Sequence, residues 1–215
     1  MGVLNGKAIK ARLEEADPAK KLVITPLFSQ EEQLREGASS IDLRLGCRFA
    51  STRRANVTHI GNEQLQPAQL EEFYVPLGSE LLVHPGQFVL ATTLEWIRLP
   101  RDLAATVVGR SRLGRRGLIV ATATGVHPTY SGVLTLEMTN LAEVPLELAP
   151  GQAVCQLVLE KVIGDDPTAA TAPSAFLGSL RPALGEGASD RIAGFLSRVA
   201  QPGAGKAPGG GGATG

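Results

Sequence analysis

Three histidines, two cysteines, one tryptophan and two tyrosines are all that the 215 residues supply of these types. The histidines, His59, His84 and His127, stand far from one another, and Cys47 and Cys155 form no Cys-x-x-Cys pair. A paired-cysteine zinc cluster and a disulfide framework are both excluded. The two cysteines read as small buried side chains in a reducing cytoplasm, with one structural disulfide as the alternative. Charge of either sign is not in excess: 21 Lys and Arg balance 21 Asp and Glu. That removes any broad electrostatic case for DNA, RNA or an anionic membrane, so a bound phosphate must rely on a few local cations. Long apolar runs are missing too. Gly, Pro or a charge interrupts each well before the roughly 20 residues of a membrane span. Met1 to Lys10 lacks a basic start followed by an apolar block, so no signal peptide is expected.

What remains is one domain with tails. Asn5 to Ala16 reads as a short amphipathic helix, capped by Asn5 and ended before Pro18. Leu22 to Ile24 reads as a strand closed by Pro26. From Ile41 the period changes to two: Ile41, Leu43 and Leu45 alternate with Asp42 and Arg44. Short β-prone segments follow at 81–83, 88–90, 104–108, 118–121, 133–138, 146–148 and 153–159. Pro85-Gly86, Gly114, Gly125, Ser131-Gly132 and Pro150-Gly151 punctuate them. Many short strands at this spacing predict a mainly β barrel or sandwich. Residues 165–173 read as a loop, Ser189 to Val199 as a C-terminal helix, and the Gly, Ala and Pro residues from Gln201 to Gly215 as a disordered tail.

Three segments carry candidate chemistry. Gly109 to Leu118 packs Arg110, Arg112, Arg115, Arg116 and the Ser111 hydroxyl among glycines, between two strands. Guanidinium forks match phosphate oxygens in pairs, and a hydroxyl with nearby backbone N–H groups completes a phosphate cradle. The same segment also reads as a solvated basic turn. Gly125 to Gly132 is a hairpin-like loop holding His127 and Tyr130; the tyrosine reads either as a stacking surface for a sugar or base or as packing. In Leu134 to Asn140, Thr135, Glu137 and Thr139 share one strand face. Glu137 is either a solvated outer carboxylate or a general base lining a pocket.

Taken in order, these segments resemble the dCTP deaminase branch of the dUTPase-like family over residues 1–162. Ala38-Ser39-Ser40-Ile41-Asp42-Leu43-Arg44-Leu45-Gly46 is similar to the family's Ala-Ser-Val-Asp-Leu-Arg-Leu-Gly box, one residue longer. Gly109 to Leu118 is similar to its Gly-Arg-Ser-Ser-Leu box. Tyr130-Ser131-Gly132 followed by Leu136-Glu137 and Asn140 resembles the strand that carries the deaminase glutamate. Leu148-Ala149-Pro150-Gly151-Gln152 and Gln156-Leu157 resemble its closing pattern.

The resemblance implies a dUTPase-like β-barrel, with an N-terminal helix, in a homotrimer with sites between subunits. It implies no zinc, and the His, Glu and paired-Cys signature of zinc nucleobase deaminases is absent. Arg110, Ser111, Arg115 and Gln156 would hold a nucleotide triphosphate, with Mg²⁺ on its phosphates. Glu137 would be the general base for water attacking carbon 4 of cytosine, helped by Ser111 and Arg115. His127 and Tyr130 would meet the nucleotide. The pattern departs in two places. The hairpin is one residue shorter than the family's Gly-x-Ile-Asp-x-x-aromatic, and His127 stands where Asp is expected. His127 reads as a sugar contact or as a plain surface histidine. The lid region, placed in 163–200, has Phe176 and Ser179 for the family's Tyr and Gln, with Arg181 as a replacement cation. Three functions follow: zinc-independent dCTP deamination to dUTP; dUTP pyrophosphatase or a bifunctional enzyme making dUMP; and a nucleotide-binding protein without catalysis.

Overall fold

The computed structural model describes residues 2–34, 37–52, 70–122, 125–164 and 180–182. The chain enters through strand β1 (Gly2–Val3) and helix α1 (Gly6–Leu13). The Asn5 side chain accepts from the Ala8 N–H at 2.9 Å, the expected N-cap. The helix ends at Leu13 rather than Ala16. Its last turns are recruited elsewhere: the Arg12 carbonyl accepts from Leu22 N–H, and the Arg12 guanidinium forks onto Asp102 at 2.5 and 2.8 Å. These bonds tie the helix to the sheet.

After β2 (Val23–Thr25) and the short helix α2 (Gln30–Gln33) come β3 (Ser40–Thr52), β4 (Leu70–Tyr74), β5 (Leu81–Val83), β6 (Phe88–Arg98) and β7 (Leu103–Gly109). Helix α3 (Ser111–Gly114), β8 (Leu118–Val120), β9 (Gly125–Val126), β10 (Ser131–Asn140), β11 (Leu146–Leu148) and β12 (Ala153–Lys161) complete the order. The main sheet runs β8-β10-β6-β3-β12-β7-β9, with β1 added to β12, β2 to β6 and β4 to β3; β5 and β11 form a separate pair. The pairings are antiparallel. The sheet curls: a methyl placed on Gly109 of β7 would sit 3.6 Å from Val120 Cβ of β8, at the far end of the strand order. The mainly β expectation holds. The segment expected as a strand over 88–90 is one strand of 11 residues, and β1, β4 and β9 had no sequence signal strong enough to register.

Leu43, Leu45, Phe49, Ile97, Leu136, Met138 and Leu157 lie in the core. Ile41, Asp42 and Leu43 are consecutive and all buried, so both faces of β3 are covered at that point. The alternation read from Ile41 therefore does not send Asp42 to solvent. β6 also carries an irregularity. Trp96 faces Val133 and Thr92 faces Thr135 on one neighbour, so residues 93–95 bulge from the ladder. On the other side the register slips between Leu45 and Phe49. The expected loop at 165–173, the C-terminal helix at 189–199, the tail at 201–215, and Phe176 and Ser179 of the lid all lie outside the described residues. Arg181 is described: its Nη1 lies 3.6 Å from Glu72 of β4.

Candidate active site

β7 ends at Gly109, and Arg110 keeps an extended backbone before the chain turns into α3. The Arg110 N–H donates to Val154 O at 3.1 Å, which pins the turn to β12. Buried Leu113 anchors α3 from below. The Arg115 N–H donates to Ser111 O at 2.9 Å. That i to i+4 bond sets Ser111 and Arg115 one helical turn apart on one face, and both are exposed. Gly117 closes the segment at φ +97°, and a Cβ there would meet Ala142 at 2.7 Å. Only glycine fits both the angle and the space.

The Arg110 side chain turns inward. Its Nη1 donates to Oδ2 of Asp42 on β3. Oδ1 of the same carboxylate accepts from Gln156 Nε2 at 2.9 Å. Register explains the meeting: on β12, Gln156 stands opposite Asp42 of β3 on one side and Val108 of β7 on the other. Arg110 and Gln156 are thus brought together through a carboxylate to which the sequence reading assigned no role. Its signal was there. A charged residue inside an apolar strand is rarely buried without a partner.

Glu137 sits half-buried on β10 opposite Leu90. Its carbonyl accepts from Ala121 N–H at 2.7 Å, and its N–H donates to Thr122 Oγ1 at 3.0 Å. The strand that leaves α3 therefore runs beside Glu137, and Thr122 is a neighbour that sequence reasoning missed. His127 is exposed at the end of β9, on the opposite end of the strand order from β8. Its carbonyl accepts from Tyr130 N–H at 3.2 Å, closing a turn over Pro128 and Thr129. Tyr130 is buried; its hydroxyl donates to Val133 O at 2.6 Å, and burial pushes its pKa up to about 12. Within one chain its ring packs the hairpin. Among the described residues, no hydrogen bond joins Glu137 or His127 to the Arg110, Asp42 and Gln156 cluster.

Beneath that cluster lies a second carboxylate. Glu95 of β6 is fully buried; its Oε1 accepts from Gln33 Nε2 at 3.1 Å and its Oε2 from the Arg44 N–H at 2.8 Å. Burial raises its pKa to about 7 against those donors and the Arg44 charge. Cys155 is also buried, and its thiol is pushed up to about 12 by burial and by the charges of Glu95 and Asp42. Both cysteines are free thiols; Cys47 is half-buried. Among the described residues no three His, Cys, Asp or Glu side chains converge as metal ligands, and no helix is long and apolar enough to cross a membrane.

A curled, mainly antiparallel sheet with an arginine–serine turn after one of its strands is the dUTPase-like class of β protein. Residues 3–162 match the family model described as dCTP deaminase-like, and the chain belongs to that family. A dCTP deaminase of Natronomonas pharaonis is 41% identical over 163 residues, which are 74% of this chain and 80% of that protein. A protein of Methanobrevibacter smithii named dCTP deaminase, dUMP-forming, is 40% identical with the same shares. The crystal structure of 2'-deoxycytidine 5'-triphosphate deaminase from Agrobacterium tumefaciens matches with a TM-score of 0.55 at 22% identity. It covers 74% of this chain, which spans 47% of that one, and the likeness carries the fold.

Proposed function

We propose that this chain deaminates dCTP hydrolytically to dUTP and ammonia, as a supplier of dUTP for deoxynucleotide synthesis, in a homotrimer with sites between subunits and in the cytoplasm. Relatives at 40–41% identity bearing the dCTP deaminase name support the substrate. The single structural observation that carries the reading is the Arg110, Ser111 and Arg115 arm. It presents a hydroxyl and a guanidinium on one exposed face, above an Arg110 held by Asp42. Arg110, Ser111, Arg115 and Gln156 grip the triphosphate, and His127 of the hairpin lies toward the sugar. Tyr130 shapes that hairpin from within.

Glu137 acts as general base. It takes a proton from a water that attacks carbon 4 of cytosine, and a tetrahedral carbon forms. The proton passes to ring N3, the proton of the new C4 hydroxyl moves by way of Glu137 to the amino group, the carbon–nitrogen bond breaks as the carbonyl forms, and ammonia leaves. Ser111 and Arg115 orient the water. Mg²⁺ carried on the phosphates would offset their charge beside Arg110, Ser111 and Arg115. The missing zinc-deaminase signature in the sequence supports a reaction without zinc. A second reading, further hydrolysis of dUTP to dUMP, is favoured by the relatives named dUMP-forming.

The test is a product assay with Mg²⁺ over a panel of cytosine and uracil nucleotides. Ammonia and dUTP from dCTP are expected, and Glu137→Gln should slow release by at least about 100-fold. Pyrophosphate and dUMP would add the second activity. Absence of ammonia from every cytosine nucleotide would overturn the proposal.

A further inference from the structure

We infer that Glu95 is a positioning residue for the triphosphate arm, acting through Gln33 and the β3 main chain on Asp42 and thence on Arg110 and Gln156; this rests on the reading of that arm given above. The connections are continuous. Gln33 Nε2 donates both to Glu95 Oε1, at 3.1 Å, and to the Asp42 carbonyl, at 3.3 Å. Glu95 Oε2 takes the Arg44 N–H, two residues along β3. The backbone on both sides of the Asp42–Leu43 segment therefore leans on one buried carboxylate. Asp42 then divides its own two oxygens between Arg110 and Gln156.

The side-chain amide of Gln33 is not free to turn over. Its Oε1 already accepts from Phe28 N–H at 2.9 Å, so its Nε2 must face Glu95. The bulge supplies the reason for a carboxylate here. Residues 93–95 leave the ladder, the Thr93 hydroxyl is bonded to the Glu95 carbonyl at 2.8 Å, and the Arg44 N–H finds its acceptor in a side chain. An unpaired N–H at that depth costs more than an ordinary hydrogen bond contributes. A neutral apolar residue would fill the space, leave the Arg44 N–H without an acceptor and leave Gln33 Nε2 with the Asp42 carbonyl alone.

The groups facing Glu95 are Arg44 from β3, Cys155 from β12 and Gln33 from α2. Arg44 is the one cation among them, and its Nη1 is engaged with the Gly151 carbonyl at 3.1 Å. Gln33 joins the buried Glu95 carboxylate to the Asp42 main chain, and Arg110 bonds the Asp42 carboxylate. A bound triphosphate changes the charge beside Arg110, and any coupling along this chain of bonds runs equally in both directions.

The experiment begins with inorganic tripolyphosphate and the full-length chain. Wild-type protein that binds neither tripolyphosphate nor dCTP would overturn the arm itself, and the inference with it. Given binding, Glu95→Gln and Gln33→Leu should each weaken tripolyphosphate affinity and raise KM for dCTP about 5- to 10-fold, with kcat within about twofold. Unchanged affinity in a folded variant, or a loss confined to kcat, would overturn the inference and leave the arm standing. Should either substitution prevent folding, the wild-type protein still decides. The ¹³C carboxyl resonance of Glu95 should titrate at a higher pH with tripolyphosphate bound, and an unmoved midpoint would overturn the coupling.

Discussion

Arg110 and Asp42, 68 residues apart in sequence, are joined by a charge-assisted hydrogen bond at the head of α3, and Gln156 donates to the other oxygen of the same carboxylate. The arm proposed to grip phosphate is therefore not a free loop of arginines. One of its members is preset from below by a buried anion, which reduces the side-chain freedom to be lost when a nucleotide binds.

Replacing Asp42 by Asn keeps the shape and removes the charge. One of the two donors then faces an amide NH2. Affinity for dCTP is expected to fall about tenfold, measured by calorimetry, with a smaller change in kcat. Unfolding in urea should show a loss of roughly 1–3 kcal/mol, since a buried donor loses its acceptor.

Glu95 predicts a pH dependence. Burial holds its carboxyl at about 7 against an ordinary 4.5, so the folded chain retains a proton that the unfolded chain releases. The associated stability is complete below about pH 4.5 and is lost as pH rises through about 7. At roughly 1.4 kcal/mol per unit the difference amounts to about 3 kcal/mol. Glu95→Gln lacks this dependence. Urea unfolding of both proteins at pH 4.5 and pH 8 should show the gap between them moving by about 3 kcal/mol in favour of the variant. A constant gap would show that Glu95 stays ionised throughout.

Gly46 faces the start of the β6 bulge. A Cβ there would lie 2.6 Å from Thr92 Oγ1, 2.9 Å from Thr92 O and 3.0 Å from Thr93 O. The hydroxyl can rotate, but the two carbonyls cannot move without shifting β6. Gly46→Ala is expected to destabilise the fold by about 1–3 kcal/mol, read as a lower urea midpoint at unchanged slope.

Thr129 occupies φ +67°, in the turn closed by Tyr130 N–H onto His127 O, with Pro128 before it. A proline followed by a positive φ is the type II pattern, whose third position favours glycine, and a β-branched residue there is strained. Thr129→Gly relieves that strain and adds unfolded-chain entropy. The net expectation is a stabilisation of about 0.5 kcal/mol, visible as a small rise in Tm.

Some of the local geometry around the candidate residues was legible in the sequence. The Arg110, Ser111 and Arg115 spacing stands on one turn of α3, Gln156 lies beside Arg110, and Asn5 caps α1. The cap and the α3 spacing depend on residues close in sequence, whereas Gln156 meets Arg110 only through the pairing of β3, β7 and β12. Asp42 and Thr122 were on the page as letters without roles, because what they touch comes from distant strands. Tyr130 was left open between stacking and packing; the bond to Val133 places it inside its hairpin.

By itself the sequence determined the mainly β character, the positions of most strands, and the arginine–serine turn, since periodicity and turn residues act over a few positions. The tertiary structure decided which polar residues are buried. Glu95 has nothing in its neighbourhood along the chain to mark it as different from a surface glutamate. Its burial follows from the bulge in β6 and the coverage of β3, and those arise only when β3, β6, β10 and β12 pair. A carboxylate's environment is set by strands far away in sequence, which is why the anion under Arg110 had to be seen rather than read.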